Sequence, residues 1–142
     1  MKVLEFTIPG DPRTKKNHMK IAGTGPRCPV CQKPARQFVK QGDAYDEYAR
    51  AAILFLRPRP KEPISEPVEI TYRFYMETHR VVDQLNLEAA LDDILVSAGI
   101  IKDDNANIVK SHDGSRVYYD KENPRVEITI KPFVEEEPHA EE

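Results

Sequence analysis

Apolar and polar side chains alternate in three stretches of the chain. In the first, Leu4, Phe6 and Ile8 share one face and Glu5 and Thr7 the other, the period of a half-buried strand, and Pro9-Gly10 ends it. The second is longer. Val68, Ile70, Tyr72, Phe74 and Met76 alternate with Glu69, Thr71, Arg73 and Tyr75, which reads as a central strand. The third, Arg125 to Lys131, turns Val126, Ile128 and Ile130 to one side. Two stretches carry helical spacing instead. Tyr45, Tyr48, Ala52 and Phe55 recur at threes and fours within Asp43 to Leu56, and Pro58, Pro60 and Pro63 stop the helix. Leu87, Ala90, Leu91, Ile94, Leu95 and Ala98 form a core stripe, with Asp83 suited to the N-cap and Gly99 to the C-cap. Asn86 and Asp93 share a flank of that helix. Leu85, Ala89 and Val96 form a weaker apolar stripe on the far side, as a subunit interface would. Short strands are expected at Asn107 to Lys110 and Arg116 to Tyr119, the second returning after a hairpin-type turn at Asp113-Gly114. The β-α-β-α-β-β order predicts an α/β fold, two main helices against a small mixed β-sheet.

Composition narrows the class. With 39% hydrophobic and 32% charged residues over 142 positions, the chain suits one globular domain, residues 1–133, with an acidic disordered tail at 134–142. No apolar run approaches the roughly 20 residues of a membrane span. The start MKVLEFTIPG is too short and strand-like for a signal peptide, so a cytoplasmic location is expected. The net charge of −3 hides a weakly basic body. Five of the 24 acidic residues lie in Glu135–Glu142, and the other 19 stand against 21 basic ones. Such a body is compatible with a nucleic-acid face.

Residues 19–36, rich in Gly and Pro, read as a long inserted loop carrying Cys28-Pro-Val-Cys31. That spacing is half of a four-ligand zinc site, to be completed by His18 or by a second copy of the pair. Two reduced surface thiols are the simpler reading. Arg13 to His18 forms a basic loop, either solvated or facing an anion. Asp83 and the pair Asp103-Asp104 are carboxylates on or beside rigid elements, as a divalent cation requires. Each also has a plain role open to it, as helix cap or as turn residue.

The run from Asp83 to Ile108, with D-x-x-N-L at a helix start, then D-x-L, A-G and D-D, resembles the RusA-type Holliday junction resolvases. SHDGSRVYYDKENPR at 111–125 is similar to the ending of their phage-type branch, and the early strand, proline and basic loop ending in Asn17 also match. The resemblance covers Met1 to about Phe133. It implies a homodimeric, magnesium-dependent endodeoxyribonuclease, with manganese as a substitute, that nicks a four-way DNA junction in pairs. By position, Asp83 and Asp104 match the family's catalytic aspartates, and Asp103 joins them as a metal ligand. Two departures stand out: Leu85 replaces a family aspartate and Ala89 a family lysine. Either another carboxylate such as Asp93, Asp103 or Asp113 substitutes, or metal binding is weakened. Lys15, Lys16, Arg80, Arg116 and Lys121 would bind phosphates, with Asn17 and Asn86 as further DNA contacts. The alternatives are a junction-binding dimer that has lost catalysis, and a metal nuclease acting on another branched DNA.

Overall fold

Strand β4 (Val68–Met76) is hydrogen-bonded along both edges, and the rest of the domain is assembled on it. A computed structural model describes residues 2–14, 19–30, 32, 34–41 and 43–134. Along one edge of β4 runs β7 (Arg125–Pro132), antiparallel, with β1 (Leu4–Pro9) antiparallel outside it. Along the other edge lie β5 (Val109–Ser111) and β6 (Arg116–Tyr119), both parallel to β4. Helix α1 (Asp43–Phe55) and helix α2 (Gln84–Ser97) complete the α/β fold, which is the expected small mixed sheet with two helices.

The core forms where the two periodicities meet. Val68, Ile70, Tyr72, Phe74 and Met76 of β4 are all buried, and so are Leu87, Ala90, Leu91, Ile94, Leu95 and Ala98 of the α2 stripe. Asp83 caps α2 as expected. The C-terminal cap is Ala98, and Gly99 follows with φ +76°, a conformation suited to glycine. Gly99 N–H donates to Val96 O and Ile100 N–H to Leu95 O, the paired bonds of a Schellman ending.

Three expectations need correction. Asp113-Gly114 does not form a hairpin. Val109 pairs with Val68 and Arg116 with Arg73, so the chain continues in one direction along β4 after an outward step at 112–115. The step is held by β4 itself. The Tyr72 N–H donates to Ser115 Oγ at 3.0 Å and the Thr71 hydroxyl donates to Asp113 O at 2.9 Å, while Gly114 takes φ +84°. Residues 19–36 are not a plain loop. β2 (Met19–Arg27) and β3 (Pro34–Gln41) pair antiparallel as a separate two-stranded sheet, with a register shift between Thr24 and Arg27, around Gly25 and Pro26. In α1, Phe55 is 47% exposed and Leu56 is buried in its place. Leu56 lies eleven residues after Tyr45, close to three full helical turns of about 3.6 residues, so it stacks over Tyr45 while Phe55 turns away.

Ser115→Ala tests the bonding of the step. Removing the acceptor leaves the buried Tyr72 N–H unpaired and is expected to cost about 1–3 kcal/mol, read from urea unfolding. A change below about 0.3 kcal/mol would show that the step is held otherwise.

Candidate functional site

Parallel strands of an α/β sheet leave their carboxyl ends open, and ligands commonly lie just beyond them. β4 and β6 end together there, and α2 begins a few residues later at Asp83. Asp83 is exposed, with φ −95° and ψ 118°. One carboxylate oxygen accepts from Leu85 N–H at 2.9 Å, an N-cap bond that leaves its second oxygen outward. Val81 and Leu85 project beside it, 96% and 72% exposed. Leu85 therefore faces solvent. The approach to α2 is tied by Asp11. Its carboxylate accepts from Glu77 N–H and pairs with the Arg80 guanidinium, which also donates to Pro12 O; Arg13 stands 3.8 Å away. Arg80 is thus engaged within the protein.

The other acidic group lies near the far end of α2. Asp103 accepts from Asp104 N–H at 2.7 Å and from the Asn105 side chain at 3.1 Å, and these bonds, the Asp104 N–H first, hold its carboxyl below the usual range. Burial, then hydrogen bonding to the Asp93 and Asp103 carboxyls, pushes Asp104 up. Asp93 also acts with burial on Tyr45, whose hydroxyl is pushed up to about 12. The structure therefore brings Asp93, Asp103 and Asp104 together. Asp83 does not join them: ten residues of helix separate it from Asp93, about 15 Å of axis. No three His, Cys, Asp or Glu side chains among the described residues are arranged to hold a metal. Magnesium needs only one or two protein carboxylates and keeps several waters, so the Asp93–Asp104 pair suits a hard divalent cation while a closed cage is not formed.

Between these ends α2 carries Gln84, Glu88 and Asp92, four residues apart, on the side facing the outward step. The sequence pattern alone assigns Glu88 and Asp92 no role. Both are buried, at 6% and 5% exposure. Tyr72 donates its hydroxyl proton to Asp92 at 2.6 Å, and His112 Nε2 lies 2.9 Å from Asp92 with Nδ1 3.7 Å from Glu88. Gln84 links Glu88 to Ser115 O. Burial, then the charges of Asp92 and Glu88, push the Tyr72 phenol far up. For His112, burial works downward, but the Asp92 hydrogen bond and the charges of Asp92 and Glu88 outweigh it and raise its pKa above 6.5. Spacing at i, i+4 and i+8 was the available signal. It went unread because a row of polar residues on a helix usually faces water.

Arg116 and Lys121 are exposed and make no ion pair among the described residues. Asn86 is half-buried on the flank it shares with Asp93. Cys28 is exposed in the turn between β2 and β3, where its carbonyl accepts from Gln32 N–H. Lys15, Lys16, Asn17, His18, Cys31 and the acidic tail 135–142 lie outside the described residues. No helix among the described residues is long and apolar enough to cross a membrane.

The mixed sheet, the crossing helix and carboxylates at both of its ends define an α/β domain with acidic polar sites. The chain belongs to the endodeoxyribonuclease RusA family, whose profile matches residues 9–131 of the 142. No curated protein matches it. The family consists of Holliday junction resolving endonucleases that act on branched DNA and depend in general on divalent metal ions.

The His112 bridge predicts a pH dependence. Its folded pKa is raised, so the stability it confers is complete below the unfolded value of 6.5 and is lost as pH rises through the folded value. Thermal melts should show Tm falling across that window, and His112→Gln should remove this component. A wild-type Tm that is flat there would mean the bridge contributes nothing.

Proposed function

We propose that the protein is a magnesium-dependent endodeoxyribonuclease that resolves four-way DNA junctions by paired nicks, acting as a homodimer in recombination and repair. The observation that carries this reading is the Asp93–Asp104 contact within the family-matched span: two carboxyls within hydrogen-bonding reach, with burial and that contact raising the pKa of Asp104. Asp93 and Asp104, with Asp103 beside them, would hold magnesium, manganese serving in its place. When bound, the ion supplies an activated water and relief of charge on the phosphoryl oxygens. Arg116 and Lys121, with Lys15 and Lys16 of the basic loop, hold phosphates and set the position of the duplex without reading bases. Asn17 and Asn86 are further contacts. Arg80 acts through Asp11, fixing where the basic loop starts.

The separation of Asp83 from Asp104 supports the dimer. One cation cannot touch both ends of α2, but a two-fold axis can set Asp83 of one protomer beside Asp104 of its partner. The exposed Val81 and Leu85 around Asp83 fit such a contact. Zinc at Cys28 and Cys31 is a separate proposal, favoured by the position of Cys28 at the tip of the β2–β3 ribbon. Metal analysis of Cys28→Ser checks it, and unchanged zinc content counts against it.

Cleavage of a synthetic four-way junction tests the main reading. Asp83→Asn and Asp104→Asn should each slow paired nicking at least about 100-fold, as the loss of several kcal/mol of charge stabilisation requires. Mixing the two inactive variants separates the geometries. If Asp83 and Asp104 act across subunits, mixed dimers regain one intact site in two, and about a quarter of the nicking returns. If they act within one chain, mixing restores nothing. Tight junction binding by the wild type with no nicks in magnesium or manganese would replace the nuclease by a binding dimer, with Leu85 as the lost donor.

A further inference from the structure

β6 is an edge strand with all four side chains exposed, and its last residues place aromatic rings on both faces. Tyr118 lies on the open face of the sheet, stacked on Tyr75. Tyr119 lies on the helix side, 45% exposed, with its ring stacked on His79 at 3.7 Å between centroids and 24° between planes. The Tyr119–His79 pair forms one wall of an open cleft of about 230 Å³ between β6 and the segment leading into α2. Met76, Val82 and Val117 supply apolar surface, Thr78 and Arg80 line a polar edge, and Tyr118 also borders the opening. The following residue after Val82 is Asp83.

We propose that this cleft is a nucleobase subsite, taking one base unstacked from the DNA next to the phosphate at Asp83. The proposal rests on the nuclease reading of Asp83 and deepens it. The cleft is smaller than the roughly 300–1,000 Å³ of pockets that bury drug-sized ligands, so it suits a single planar ring system rather than a duplex. Its wall is aromatic, the rest of its lining is part apolar and part polar, and Arg80 is held in place by Asp11 instead of moving freely. Exposed aromatic side chains bind bases through their π-faces, and this attraction depends little on which base is present. When a bound four-way junction is opened, bases at the crossover lose a stacking neighbour, so the cost of lifting one out is lower than in a continuous duplex.

The test uses the full-length protein in calcium, so that binding is read without cleavage. The probe is a four-way junction carrying the fluorescent adenine analogue 2-aminopurine at nucleotides next to the crossover. Wild type should change the fluorescence at one such position and not in a continuous duplex. Tyr119→Ala should abolish that change and weaken junction binding about 5- to 150-fold, the range of one base–aromatic stack, while Tyr119→Phe stays within about twofold. His79→Ala should act in the same direction. Tyr119→Ala should keep the wild-type salt dependence of binding, whereas Lys121→Ala should lower its slope by about one phosphate. Phe55→Ala, which removes an exposed aromatic side chain at the end of α1 and outside the cleft, should have no effect. Wild-type affinity and fluorescence in both Tyr119→Ala and His79→Ala would overturn the subsite. So would an equal loss in Phe55→Ala, or a change of oligomeric state on gel filtration of Tyr119→Ala, which would make the cleft a subunit contact. A wild type that does not bind the junction would instead overturn the nuclease reading beneath it.

Discussion

The packing of α2 across the inward row of β4 is the constraint on which the other features depend. Four of those five β4 side chains are fully buried, and the α2 residues above them are buried to 2% exposure or less up to Leu95, Glu88 and Asp92 on its polar side apart. A 14-residue helix is about 21 Å long and rigid over that length. Its two ends therefore cannot approach each other. Whatever chemistry the acids perform must accept that spacing, since bending the rod would open the core.

The same packing explains a polar layer beneath the helix. α2 runs beside the outward step between β5 and β6. Glu88 and Asp92 point there, and the Tyr72 hydroxyl, His112 and Gln84 satisfy them. Buried carboxylates without such partners would oppose folding; with them, they fix the rotation of α2 about its axis. The orientation of Asp83 at the end of the same helix is tied to that rotation.

Much of this was legible in the residue pattern. β4, β7 and α2 show one-sided burial over eight or more residues, and a long amphipathic signal admits few folds. The β2–β3 ribbon was missed because a two-stranded sheet is held by backbone bonds, while Gly23, Gly25 and Pro26 punctuate it like a loop. The direction of β6 was missed because Asp-Gly suits a tight turn equally well whether the chain reverses or only steps aside; Thr71 and Ser115 decide that, and they are 44 residues apart. The acids of the candidate site were visible as residue types. Their grouping was not, because no periodicity reports how the chain folds back after Gly99 to set Asp104 against Asp93.

Asp11 carries a consequence of another kind. One carboxylate joins the exit from β1, the N–H of Glu77 and the side chain of Arg80, so the start of the basic loop and the entry to α2 share a single anchor. The conformational entropy of that juncture is lost when the chain folds and not again when DNA arrives. Asp11 subtracts one positive charge from the face, and in exchange the polyanion meets a surface already set in shape.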